Sequence, residues 1–148
     1  MNADLYLGKA YHCLAGAELA LTHGQYNNAV NRAYYAAFQA AIALLVAAGV
    51  CPPTPRYWGH DFVLREFCAL RPPRPDEPLE ACGPAALKAL QDARLKADYD
   101  VELMGEPTAR RAVALARAFV GAVEQRLPQE VTCPTGPLPL PRGARSSH

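Results

Sequence analysis

Paired cysteines are missing from this chain. Its five cysteines (Cys13, Cys51, Cys68, Cys82 and Cys133) are odd in number, and no two make a C-x-x-C step. Neither a disulfide framework nor a zinc site is therefore indicated. Cys13 and Cys68 fall inside helical patterns, where a reduced cysteine behaves as a small hydrophobe. A reducing cytoplasm is the expected compartment. An excess of one charge is missing too. Fifteen Lys and Arg against 14 Asp and Glu leave a formal charge of +1, too little for a whole-molecule field that gathers nucleic acid or membrane. Any basic patch must be local. The opening Met-Asn-Ala-Asp has no basic stretch leading into an apolar run, so no secretory leader is expected. No H-E-x-x-H, glycine-rich phosphate loop or G-x-S-x-G is present. No metal and no cofactor are expected.

What the chain does have is apolar residues, 51% over 148 positions, enough for one domain with one core. Residues 33–51 run without a charge, which approaches the length of a membrane span. Much of that run is alanine, with Tyr34, Tyr35 and Gln39 in its first half. A buried central helix explains it better, and no membrane partner is expected.

Strand-like alternation is absent, and helical periodicity is present throughout. Leu7, Ala10, Leu14, Ala17 and Leu21 make one stripe over 3–23, stopped by Gly24. A second helix from Gln25 to about Ala48 carries Ala29, Val30, Ala33, Ala37, Ala40, Ala41, Leu44 and Ala48. Gly49 and Pro52-Pro53 end it. A third, His60 to Leu70, carries Phe62, Val63, Phe67 and Leu70. Pro84 opens a fourth through Leu87, Leu90, Ala97 and Val101. Thr108 is the expected N-cap of a fifth, with Ala109, Ala112, Val113, Ala116, Phe119, Val120, Val123 and Leu127 inward. The expected fold is all-α, an up-and-down bundle of about five helices over 1–127. Residues 128–148 hold five of the 14 prolines among Gly, Ser and Thr. They read as a disordered Pro-rich tail, with a polyproline ligand in Pro-Leu-Pro-Leu-Pro-Arg as the less favoured alternative.

Two places break the apolar pattern. Asn28, Arg32, Tyr35 and Gln39 recur at helical spacing as a polar–aromatic stripe. An arginine and a tyrosine on one rigid helix can grip phosphate and stack a base, although an edge-packed Arg32 stem is the plainer account. On the fourth helix, Arg94 falls within the apolar stripe, with Asp98 one turn later as its partner and Tyr99 beside it. A covered pair of this kind seldom adds net stability and is kept for specificity or for a site. His60 opens the third helix. A lone histidine there is more often a cap or surface residue than a catalyst, yet in a pocket it can move a proton.

Asn31-Arg32-Ala33-Tyr34-Tyr35-Ala36-Ala37-Phe38, a histidine opening the next helix, and Arg94-x-x-Ala97-Asp98-Tyr99 together resemble the HEPN superfamily, and within it the small stand-alone prokaryotic branch. The resemblance spans about 3–127. It implies a bundle that commonly dimerises and that occurs in toxin–antitoxin and anti-phage systems, often beside a minimal nucleotidyltransferase. Many members are metal-independent ribonucleases whose arginine and histidine, four to six residues apart, pair across the dimer. Here the sequence departs. Tyr99, Asp100 and Val101 fill the window after Arg94, and Ala37, Phe38 and Gln39 that after Arg32. The literal spacing occurs only at Arg142 and His148 in the tail.

The leading expectation is thus a non-nucleolytic module binding RNA, a nucleotide or a protein partner through Arg32, Tyr35, Gln39, Arg94 and Tyr99, with His60 and Asp98 nearby. The alternatives are a ribonuclease using Arg94 with His60 or Asp98, and a structural subunit. All site readings need Arg32 and Arg94 to meet at one hollow.

Overall fold

A computed structural model describes residues 2–70, 83–99 and 103–127, and its regular elements there are five α-helices. They are α1 (Ala3–Thr22), α2 (Tyr26–Ala47), α3 (His60–Leu70), α4 (Pro84–Tyr99) and α5 (Glu106–Arg126). The expected tail, Cys82, Cys133, Val101 and the Arg142–His148 spacing all lie outside the described residues.

Local chemistry sets the ends. Asn2 caps α1, its side-chain oxygen accepting from the Asp4 amide at 2.9 Å. Both α1 and α2 stop in the same way. Gly24 (φ 71°) and Gly49 (φ 87°) adopt the left-handed conformation that glycine takes without a Cβ penalty. The amides that follow reach back across the last turn, Gln25 to the Ala20 carbonyl and Val50 to that of Leu45, each at 2.9 Å. The two-glycine logic read from sequence holds. The start of α5 differs from expectation. Thr108 lies inside the helix and Gly105 is the N-cap, because Pro107 fits a first turn that needs no amide from it.

The alanine-rich α2 is the axis. It packs against α1, α3, α4 and α5, and thirteen of its residues are buried. Small side chains let neighbours approach on every side, which is why a helix apolar enough to cross a membrane has 72% of its most apolar window buried inside the bundle. The outer helices are amphipathic. Ala10, Leu14, Ala17 and Ala20 of α1, Val63 and Phe67 of α3, Leu87 and Leu90 of α4, and Phe119 and Val123 of α5 close on α2. Phe67 and Phe119 meet with ring centroids 5.6 Å apart. Glu18 of α1 pairs with Arg117 of α5, and Tyr11 bonds to Glu124.

Asn27 fastens the far end. Its Nδ2 donates to the Ala97 carbonyl at 2.5 Å, and its Oδ1 accepts from the Met104 amide at 3.0 Å. One side chain on α2 therefore fixes where α4 ends and α5 approaches.

Candidate functional site

Charged and aromatic groups gather where α2, α3 and α4 meet. Asn27, Asn31, Tyr34 and Phe38 form one stripe on α2, at steps of three and four residues. That stripe faces α4 through Asn27 and Asn31, and the start of α3 through Tyr34 and Phe38. Tyr34 is buried to 1% exposure. Its hydroxyl lies 2.6 Å from Nδ1 of His60, whose ring also sits 4.8 Å from that of Phe38 and 5.9 Å from that of Tyr35. On the other side, the Arg94 guanidinium stands over Tyr34 at 5.1 Å and Tyr35 at 5.8 Å. Histidine and arginine thus flank the same tyrosine pair.

Arg94 is held as the sequence suggested. Its Nη1 donates to Asp98 Oδ2 at 3.1 Å, with the two side chains 12% and 27% exposed. Asn31 Nδ2 donates to both oxygens of that carboxylate, at 3.3 and 3.2 Å. The pairing is incomplete, because the buried Arg94 Nε finds no acceptor among the described residues. That Nε is itself sealed from solvent, so its unmet donor is a cost of the packing, and only the 12% exposed remainder of the side chain can meet a ligand oxygen.

The electrostatics follow from burial and from Arg94. Burial pushes the Tyr34 phenol well above its ordinary value, against the opposing pull of Arg94, so it stays protonated. Burial first, and the Arg94 charge second, lower the His60 pKa, with Asp61 opposing them. His60 is therefore neutral near pH 7. The direction of the Tyr34–His60 hydrogen bond goes with the ring's tautomer. Where the Tyr34 O–H donates to Nδ1, its one acceptor among the described residues, the ring proton sits on Nε2 and is offered as a donor.

The structure brings together Arg94, Asp98, His60 and Tyr35 from the residues singled out in the sequence. Tyr99 sits at the rim, 76% exposed. Gln39 is half-buried, its Oε1 enclosed without a partner among the described residues. Arg32 does not join the cluster. It lies against α1, with its stem passing Gly16 and its charge acting on Cys13. The expected convergence of Arg32 with Arg94 is thereby corrected. One residue of helical phase separates Asn28 and Arg32, which stay exposed beside α1, from the Asn27–Asn31–Tyr34–Phe38 stripe, and Tyr35 sides with the latter. Asn31 and Tyr34 were missed as site residues, although their three- and four-residue steps from Asn27 to Phe38 carried the signal. Among the described residues no three His, Cys, Asp or Glu side chains gather closely enough to hold a metal.

No curated protein matches the sequence. A family model does, that of the HEPN domain, over residues 3–126. It takes in all five helices and every member of the Arg94–His60 cluster, and the chain belongs to the HEPN family.

Proposed function

We propose that this HEPN protein is a non-nucleolytic module that binds RNA or a nucleotide at the α2–α3–α4 cluster. In that reading it acts as a cytoplasmic homodimer within a toxin–antitoxin or defence system, with a minimal nucleotidyltransferase as the neighbouring protein partner. The observation that carries the binding role is the seating of His60 and Arg94 on the same buried tyrosine, Tyr34. With Nδ1 occupied by the Tyr34 hydroxyl, Nε2–H and the Arg94 guanidinium are both donors on one patch. Two donors can hold phosphate oxygens, and Tyr35 and Tyr99 add faces for bases. A neutral Nε2–H supplies no general base, and loss of a positioned base typically costs about a hundredfold or more in rate.

A second reading, a metal-independent ribonuclease, is favoured by one feature. His60 and Arg94 flank Tyr34 within a single chain, so a shift of the ring proton to Nδ1 would set a base beside a phosphate-gripping cation. A labelled single-stranded RNA oligonucleotide, titrated with protein in chelator at two salt concentrations and then run on a denaturing gel, separates the two. Salt-sensitive binding with intact RNA, weakened in Arg94→Ala, is the expected result. Cleavage lost in both Arg94→Ala and His60→Ala would establish the second reading instead. No binding at low salt would overturn both.

A further inference from the structure

Arg32, set aside by the cluster above, opens a different possibility on the opposite flank of α2. A cavity of about 420 Å³ lies between the last turns of α1 and the first turns of α2, lined by His12, Gly16, His23, Gln25, Asn28 and Arg32 among others. That volume falls within the range of small-molecule sites, roughly 300–1,000 Å³. No carboxylate lines it. Arg32 makes no ion pair with any described residue, and the nearest acid along α1, Glu18, is engaged by Arg117 of α5. A guanidinium facing a polar hollow, with two imidazoles and two amides and no counter-charge, is a site built for an anion.

Two details strengthen the assignment. Gln25, the N-cap of α2 and a lining residue, makes no side-chain bond to the first turn, so the amides that begin α2 keep their positive end uncapped by a side chain. The opposite end of α1 does not cancel it. Its last carbonyls already accept from the His23, Gly24 and Gln25 amides, and His23 Nδ1 donates to the Leu19 carbonyl at 2.9 Å. That last bond holds the His23 ring at the cavity wall with a proton on Nδ1, so Nε2 donates to an anion when the ring is the imidazolium. Asn28 is held only loosely, by Gln25 at 3.4 Å, and is free to turn its amide to a ligand.

We infer that the α1–α2 cavity is a binding site for a phosphomonoester, a small molecule whose phosphoryl group is gripped by Arg32 and met by His12, His23 and Asn28. It is independent of the RNA site, because it shares no residue with the Arg94–His60 cluster. Planar, forked donors suit the oxygens of a phosphoryl group, and the exposed Leu19 at the rim gives an apolar edge for the rest of the molecule.

The test is proton NMR of the four histidines of the full chain during titration with inorganic phosphate, and separately with adenosine 5′-monophosphate. The expected result is a saturable, joint shift of the His12 and His23 ring signals that persists in Arg94→Ala, a variant that removes the phosphate grip of the other cluster and with it any accompanying shift of His60. Tighter binding of the nucleotide would assign the Leu19 edge to the nucleoside, and equal binding would assign recognition to the phosphoryl group alone. Arg32→Ala should weaken the dissociation constant roughly ten- to a hundredfold, the range expected for losing a charge-assisted bond. Asn28→Asp, which keeps the helix and adds a negative charge at the wall, should do the same if Arg32→Ala fails to fold. The inference is overturned if neither ligand gives a saturable shift below about 10 mM, a limit weaker than the millimolar affinities of poor ligands. Unchanged affinity in a folded Arg32 or Asn28 variant would overturn it equally. Neither failure touches the RNA titration, whose readout depends on Arg94.

Discussion

Replacing Arg94 with methionine keeps an unbranched apolar stem among Tyr34, Tyr35 and Ala97 and removes only the charged head. Three effects set the cost. Two guanidinium–ring contacts, at 5.1 and 5.8 Å, contribute about 0.5–1 kcal/mol each. The i, i+4 pair with Asp98 contributes about 0.5 kcal/mol, and Asn31 continues to donate to that carboxylate. Against these, the variant relieves the orphaned Nε, a gain of about 1 kcal/mol. The net loss is therefore about 1 kcal/mol, roughly a fivefold change in the folding equilibrium. The same change acts on His60. Burial, the larger cause, still holds its pKa down, but the Arg94 contribution disappears, so its titration midpoint rises while remaining below 6.5. Urea unfolding gives the first quantity, and NMR titration of the His60 ring gives the second. A midpoint that stays put or falls would refute the argument that Arg94 and His60 share one electrostatic site. A loss above about 3 kcal/mol would refute the argument that the guanidinium is only partly satisfied.

The remaining predictions are simpler. Because the folded-state pKa of His60 is lowered, the unfolded chain binds more protons between that value and 6.5. His60 therefore contributes stability that is present above pH 6.5 and is lost as pH falls through the folded midpoint. Chemical denaturation across this window should show a slope that His60→Gln flattens. Asn27→Ala removes the donor to Ala97 and the acceptor for Met104, and should cost about 1–3 kcal/mol. Hydrogen exchange should then quicken at Met104. Phe119→Ala removes a fully buried ring that meets Phe67, with an expected loss of about 3–5 kcal/mol in urea unfolding. Tyr34→Phe frees His60 Nδ1 and costs about 1 kcal/mol. Should that variant cut RNA in chelator while the parent does not, the tautomer is what silences cleavage.

The five helices were legible because each criterion is local. Period, glycine stops and a leading proline act within a turn or two of chain, so the bounds of α3 and the start of α4 emerge from sequence at the observed residues. The misreading of Thr108 has the same scale, since Gly105 and Thr108 are both able caps and only the path of the chain around Pro107 selects one. The site was legible in part. Arg94 and Asp98 lie one turn apart on a single helix, and their pairing needs nothing but helical geometry. Whether His60 meets them depends on how α3 is carried back onto α2.

Composition and periodicity by themselves determined that this chain buries an alanine-rich helix among four amphipathic ones, and its motifs already resembled the HEPN family. Only the tertiary structure decided which of two adjacent stripes on α2 faces α4 and which faces α1. A turn of 100° per residue makes neighbouring positions nearly equivalent in sequence, whereas packing commits each to one side. That choice sends Arg32 to α1 and Tyr34 to His60 and Arg94, and it parts the two arginines that the sequence had placed at one hollow.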